Sequence, residues 1–446
     1  MQPNTRGKKE MHFTNWLTLL TAFFLFNTGK GQVKDTVTIM HYNLLYYGEP
    51  TQFCTVNNNN VNDKDTYLKR IVNHVKPDIF TVNEMGCDAS YAKRIRDLVL
   101  NSSEEKYELT VLQKSGSQII CNMLFYNTKK VKVVGQEKIT TAGNGTSIVR
   151  AVDFYELQFL STNLSPNYNQ LDTPSTYLLT MHLKASSSSA DKAQREVAAE
   201  GIMKHIEANK QPGNYILSGD LNLYTNSEGA FEHFTDWTSA SYNFKDPVNR
   251  IGSWGNNSSF ADVHTQSTHT SGGCYSGGGM DDRFDFILAS QYIMSGRGSV
   301  QYIPDTYKAI GQDGKRFNGR LDSPQNNSAP AAVIDALYNM SDHLPVVIQV
   351  EVLFGQSPNS VEKNQIIPQL KLWVNSNREI QIAGGAQEST YIVEVYSSAG
   401  NKIETLSRLA SQTAILSTSS LAAGLYIIRT TNSISGQITN FKIVLP

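Results

Sequence analysis

Several things are scarce in this chain of 446 residues. It has only four cysteines, and its acidic and basic residues nearly cancel, leaving a net charge of −1. That balance excludes the broad basic footprint of a protein that clamps nucleic acid by charge alone, although a local basic patch or a bound cation can offset it. No cysteine spacing resembles a zinc site. Long apolar runs are also missing. Trp16 to Phe26 is an apolar run of eleven residues, where a spanning helix needs about 20. The rest is ordinary globular composition, 40% hydrophobic and 18% charged, which argues against disorder of the whole chain.

The short apolar run has the flanks of an export signal. Arg6, Lys8 and Lys9 precede it, and the small residues Thr28, Gly29 and Gly31 follow. Residues 1–32 are therefore expected to be a signal peptide cleaved near Gly31–Gln32, with a short membrane anchor as the alternative. These residues carry four basic side chains against Glu10, so the remainder is near −4. Export permits disulfides. Cys54 and Cys87 each fall just beyond an expected strand end, which makes Cys54–Cys87 the first pairing to expect.

Strand and helix signals alternate through the first three quarters of the chain. Val37 to Leu44 reads as a strand. Leu68, Ile71, Val72 and Val75 recur at helical spacing, and Pro77 ends that helix. Asp78–Val82, Glu108–Leu112, Ile119–Tyr126, Lys130–Val134, Ile148–Leu160, Tyr177–His182, Tyr215–Ser218, Phe284–Ala289 and Pro345–Leu353 read as strands. Tyr91–Leu100 and Ala190–Asn209 read as helices. Many strands with few helices indicate an α/β sandwich over residues 33–353. Gly252 to Met280, with seven Gly and six Ser, is a long loop. Residues 354–368 form a polar linker. Residues 369–446 change to short strands between turns, a small all-β sandwich.

Four apolar strands adjoin chemically capable residues. Asp78–Val82 runs into Asn83-Glu84, Tyr177–Met181 into His182, and Tyr215–Ser218 into Gly219-Asp220-Leu221-Asn222. Ser341-Asp342-His343 stands just before the last strand. Asn43 closes the first strand. If these ends meet, they make one pocket of carboxylates, amides and histidines. Carboxylates and amide oxygens are hard ligands suited to Mg²⁺, Mn²⁺ or Ca²⁺. The histidines can donate to a phosphoryl oxygen or move protons, and an aspartate beside one fixes its tautomer. The set suits metal-assisted hydrolysis of a phosphate ester. Taken singly, each residue has a plainer reading: His182 a satisfied structural histidine, Asp220 an Asx turn, Asp285 a buried structural carboxylate, Arg150 and Arg283 ion-pair partners.

The order of the blocks argues against the plainer readings. Asn43 in HYNLL, Glu84 in VNEM, His182 in MHLKA, Asp220 and Asn222 in SGDLNLY, Asp285 in RFDFIL and Asp342-His343 in SDHLPV resemble the ordered signature of the endonuclease/exonuclease/phosphatase family. The resemblance implies a four-layer α/β sandwich of deoxyribonuclease I type. It implies Glu84 as principal metal ligand with Asn43 and Asp342 assisting, and Asn222 and His182 on the phosphate oxygens. It implies Asp285 orienting His343, and a general base that is either Asp220 or His343. Asn83 stands where many members have Gln, and Leu45 where some DNA-repair members have an acid. The Gly252–Met280 loop has no family role and is read as an insertion rather than a substrate-facing lid.

Tyr391–Lys402, SSLAAGLYIIRT and the terminal FKIVLP resemble a type A sorting domain of type IX secretion. That implies a partner in the secretion machinery and a secreted or cell-surface protein. A carbohydrate- or protein-binding module is the alternative for that domain. For the whole chain the expectation is a secreted, monomeric, metal-dependent nuclease acting on DNA or RNA. The alternatives are a sphingomyelinase-like or small-phosphoester enzyme, for which Phe231–Trp237 is a weak membrane-entry segment, and a non-enzymatic surface binding protein.

Overall fold

A computed structural model describes residues 33–102, 106–114, 116–164, 173–296, 298–354, 370–375, 379–383, 390–409, 413–418, 421–433 and 438–445. The expected signal peptide and nearly all of the expected linker lie outside the described residues. In chain order, the first part contains β1 (Val33–Tyr47), α1 (Val61–Val75), β2 (Ile79–Gly86), α2 (Ala89–Arg94), β3 (Tyr107–Leu109), β4 (Ile120–Asn127), β5 (Val131–Thr141), β6 (Ser147–Phe159), β7 (Ser175–His182), α3 (Ser189–Asn209) and β8 (Tyr215–Asp220). There follow α4 (Gly229–Thr235), β9 (Phe244–Lys245), β10 (Asp285–Ser290), α5 (Gln291–Met294), β11 (Val300–Tyr302), β12 (Lys308–Ala309), α6 (Ala331–Met340) and β13 (Val346–Phe354).

Two sheets form. One has the order β11-β13-β1-β2-β4-β3, with β12 also on β13; the other has the order β5-β6-β7-β8-β10-β9. The central strands are apolar on both faces, as strands covered on both sides must be. In β1, Val37 and Ile39 pack inward with Ile79, Leu178, Ile216, Ile287 and Ile348 from both sheets. Met40, Tyr42 and Leu44 face outward onto Leu68 and Ile71 of α1 and Leu337 of α6. Across the molecule, Leu179 and Leu217 face outward onto Ala199, Ile202 and Ile206 of α3 and Phe231 of α4. These three apolar layers make a four-layer α/β/β/α sandwich, the expected fold class. The sequence reading passes over α6, although Val333, Ile334 and Leu337 lie at helical spacing behind Pro330.

Two expectations are corrected. Phe231–Trp237 is no membrane-entry hairpin: it lies mostly in α4, and Phe231 and Phe234 are buried in the outer core. The disulfides are Cys54–Cys274 and Cys87–Cys121, not Cys54–Cys87. The β2–β4 pairing carries Cys121 opposite Met85, next to Cys87, while the turn after β1 carries Cys54 toward the long loop. Arg283 is, as its plainer reading has it, a structural ion-pair partner: it is fully buried and bonds both carboxylate oxygens of Asp246 at 2.9 and 2.8 Å.

One buried acid gives a pH test. Asp153 on β6 is 2% exposed, and burial pushes its carboxyl up to about 7. A carboxyl raised in the folded state stabilises fully below its unfolded value and loses that contribution as pH rises through about 7. Asp153→Asn is therefore expected to raise the urea midpoint at pH 8 and to leave it unchanged near pH 4. An equal gain at both pH values would contradict the buried-charge account.

The C-terminal strands have a core of their own. Strands β14 (Lys371–Val374), β15 (Glu379–Ala383) and β18 (Ala414–Ser417) form one sheet; β16 (Thr390–Ser397), β17 (Lys402–Leu409), β19 (Gly424–Asn432) and β20 (Ile438–Leu445) form the other. Ile380, Ile382, Val393, Val395, Ile428 and Leu445 fill the space between them.

Candidate active site

Strand register brings the expected residues together. In the first sheet β1 and β2 run parallel, with Asn43 opposite Asn83. In the second, β7 and β8 run parallel with His182 opposite Asp220, and β10 runs antiparallel with Asp285 opposite Asp220. His182, Asp220 and Asp285 thus stand in one row across three strands.

The backbone leaves the extended region where the pocket begins. Leu45, Tyr46, Glu84 and Asn222 have φ of 45, 49, 55 and 52°, a left-handed conformation costly for a side-chain-bearing residue. Local bonds hold it. Buried Lys64 donates from Nζ to the Leu44 and Leu45 carbonyls at 2.6 Å each, and Asn59 Nδ2 donates to the Leu45 and Tyr46 carbonyls. The Asn222 N–H donates to Asp220 Oδ1 at 3.1 Å. Asn83 ties the sheets together. Its Oδ1 accepts from the Asp220 N–H at 2.9 Å, and its Nδ2 donates to Asn122 at 2.7 Å.

The side chains converge. Asn43 Nδ2 donates to Asp220 Oδ2 at 3.0 Å and to Glu84 Oε1 at 3.2 Å, while its oxygen accepts from the Leu45 N–H. His182 Nε2 lies 3.5 Å from Asp220 Oδ2 and 3.8 Å from Glu84 Oε1. His343 Nδ1 is 2.7 Å from Asp285 Oδ2, so Nδ1 donates and Nε2 points into the pocket, 3.8 Å from Asp220 Oδ2. Asp342 Oδ2 accepts from the Ser276 N–H at 2.9 Å and from Gln266 Nε2 at 3.2 Å. All eight residues expected from the sequence belong to this neighbourhood. Arg150, whose Nη1 donates to the Leu183 carbonyl, lines a crevice with Glu84 and His182.

Sequence reasoning missed several supports. Thr81, Thr180 and Ser218 make a buried hydroxyl chain of 3.0 and 2.8 Å bonds under the site, extended by His41. Ser341 Oγ donates to the Asn43 carbonyl and accepts from the His343 N–H. Thr265 Oγ1 accepts from the backbone N–H groups of Phe284 and Asp285. Gln266 and Ser276 lie in the Gly/Ser-rich loop, which is therefore part of the site and not an insertion apart from it. Nothing in the periodicity of that loop marks these two residues.

Electrostatics separates the two pocket histidines. Burial, with the charge of Arg150, holds His182 well below its ordinary value, so it is neutral. Burial opposes the charge of His343, but Asp285, Asp220 and Asp342 overcome it and hold the imidazole well above its ordinary value. Burial raises Glu84, helped by Asp342, and pushes Asp220 up to about 7. Clustered carboxylates of this kind repel one another, and a nearby cation relieves the repulsion.

The donor set fits such a cation. One ligand atom each from Glu84, His182 and Asp220 lies within 4.8 Å of the others. Glu84 Oε2 and Asp342 Oδ1 are buried without a hydrogen-bond partner. Burying such atoms costs free energy that a bound cation recovers.

No family model matches the chain, and no curated protein does. Solved structures do. An endonuclease/exonuclease/phosphatase family protein from Bacteroides thetaiotaomicron is 14% identical, with 72% of this chain and 96% of that one covered and a TM-score of 0.44. The human nocturnin catalytic domain with bound sulfate anion is also 14% identical, covering 72% and 97% at a TM-score of 0.44. An endonuclease/exonuclease/phosphatase protein from Bacteroides vulgatus is 15% identical, covering 71% and 99% at a TM-score of 0.45.

Proposed function

We propose that this protein is a divalent-metal-dependent phosphodiesterase, most simply a nuclease cleaving DNA or RNA. The observation that carries the reading is the convergence of Glu84, His182 and Asp220 beside the 2.7 Å Asp285–His343 pair. Glu84 and Asp220, with His182 beside them, would hold Mg²⁺ or Mn²⁺, and Asp342 would assist. The ion would supply charge stabilisation at a phosphoryl oxygen. Asp220 then stays ionised and accepts the proton of the attacking water. Neutral His182 and Asn222 donate hydrogen bonds to phosphoryl oxygens. Cationic His343, held by Asp285, stabilises the charge that builds on phosphorus and the leaving oxygen. Asn43, expected from the sequence to assist at the metal, presents its NH₂ group to both carboxylates and its oxygen to the Leu45 N–H, and so would orient the carboxylates instead.

Export is the second half of the proposal. Two disulfides support an oxidising compartment, and the separate C-terminal sandwich is the part that would engage the type IX machinery.

The test uses the full chain with supercoiled DNA, RNA, sphingomyelin and bis(p-nitrophenyl) phosphate, each with Mg²⁺, Mn²⁺ or EDTA. Nicking of DNA or RNA that needs the metal is the expected result. Mn²⁺ at 100 times its dissociation constant should also stabilise the fold by about 2.7 kcal/mol, and Glu84→Ala should remove that gain. Hydrolysis of only the lipid or the small ester would keep the chemistry and reject the nuclease. Activity unchanged in EDTA would reject the metal.

A further inference from the structure

The Gly/Ser-rich loop carries a residue aimed at the reacting histidine. Gln266 Nε2 lies 2.7 Å from His343 Nε2 and 3.2 Å from Asp342 Oδ2. Its backbone is fixed on both sides. The Gln266 N–H donates to the Asp282 carbonyl, and the Gln266 carbonyl accepts from the N–H groups of Asp281 and Asp282. The neighbouring segment is sewn to the stretch between α6 and β13 that bears His343: Leu344 N–H donates to the Thr265 carbonyl, Thr268 N–H to the Asp342 carbonyl, and Thr268 Oγ1 to the Ser341 carbonyl. Ser267 Oγ donates to the Ser276 carbonyl at 2.6 Å. His269 stacks between Tyr275 and Tyr338, with ring centroids 3.8 and 3.9 Å away. Cys54–Cys274 anchors the far side of the loop.

We infer that Gln266 is a positioning residue for the reaction, acting through His343 and Asp342. This rests on the phosphodiesterase reading. The imidazole of His343 is fixed at Nδ1 by Asp285, and Asn43 Nδ2 lies 3.4 Å from Nε2, too long a contact to hold the ring plane by itself. Gln266 supplies the second point at Nε2 and so fixes the ring plane. With His343 neutral the Gln266 NH₂ group donates to Nε2 and to Asp342 Oδ2; with His343 cationic its Nε2–H donates to the Gln266 amide oxygen after a half-turn of the amide, which gives up the Asp342 bond. It also stands beside the Asp342 oxygen that Ser276 holds, while the other Asp342 oxygen is buried with no hydrogen-bond partner among the described residues. A catalytic group held at two points, here by a strand and by a tethered loop, keeps its geometry when substrate arrives.

The experiment compares wild type, Gln266→Ala and Gln266→Met in the full, oxidised chain, with the best polymer substrate and with bis(p-nitrophenyl) phosphate. Methionine keeps the bulk and loses the hydrogen bonds. Expected is a fall in kcat of about 10- to 100-fold in both variants, with KM within about threefold. The methionine variant should melt like wild type, and it carries the test if the alanine variant folds poorly. A kcat within twofold of wild type in Gln266→Met overturns the inference, as does a loss confined to KM, which would make Gln266 a substrate-binding contact. If wild type cleaves no phosphodiester, the phosphodiesterase reading fails and this inference with it.

Discussion

Asp220→Asn should reduce kcat by about 10²- to 10⁴-fold, the usual contribution of a positioned base, while leaving the fold intact. The substitution keeps the size of the side chain and removes the one thing the mechanism asks of it, a negative oxygen. The carboxylate sits where three strands meet, 2% exposed, with Asn43 Nδ2 on one oxygen and the Asn222 N–H on the other. Asparagine keeps one of these two acceptors and sets an NH₂ donor against the other donor, a loss of one hydrogen bond that the relief of buried charge offsets. Removing a buried charge from a cluster with Glu84 and Asp285 relieves repulsion. In EDTA at pH 8, the variant should therefore melt no lower than wild type. Steady-state kinetics beside His343→Asn separates the two candidate bases. If Asp220→Asn keeps activity within fivefold while His343→Asn loses it, the proton goes to His343 and the two residues exchange roles.

Reducing the disulfides should have the largest effect on stability. Cys54–Cys274 joins residues 220 apart in sequence and Cys87–Cys121 residues 34 apart. The loop-closure relation gives roughly 5 and roughly 4 kcal/mol respectively, near or above the usual 2–4 kcal/mol range. Separate Cys54→Ser/Cys274→Ser and Cys87→Ser/Cys121→Ser chains should each lower the unfolding free energy by roughly 2–5 kcal/mol in urea. A reductant should lower the wild-type midpoint and leave a chain with all four cysteines replaced unmoved. Equal midpoints with and without reductant would mean that the loops are held by their hydrogen bonds alone. Activity distinguishes the bridges further. Cys121 lines the crevice with Glu84 and Arg150, whereas Cys274 anchors the loop that bears Gln266.

The sequence made the strands and the polar residues at their ends legible for a physical reason. A strand buried on both faces is a run of apolar residues, so Asn83-Glu84, His182 and Asp220 stand out as interruptions. The order of these interruptions carried the resemblance. What stayed hidden depends on the path of loops. Residues 54 and 274 meet because one turn and one long loop cross, and no local pattern encodes that crossing. Gln266 and Ser276 sit among glycines and serines without periodicity. Lys64 was visible as part of an amphipathic helix, but its bond to the strained end of β1 belongs to tertiary structure. Phe231–Trp237 looked like an exposed apolar stretch because sequence alone does not say which helix covers the sheet.

The row formed by His182, Asp220 and Asp285 has a consequence for how such a protein diversifies. Their spacing is set by the hydrogen-bond ladder between β7, β8 and β10, not by any connecting segment. A slip of one residue in that ladder would turn every side chain in the slipped strand to the other face, so the reactive row is inherited whole or lost whole. The segments joining the strands are free of that ladder, although the one that bears Gln266 and Ser276 is tied to the site by its own bonds. The ladder therefore fixes three of the reactive side chains by itself, while Asn222, Asp342 and His343 depend on the segments that adjoin it.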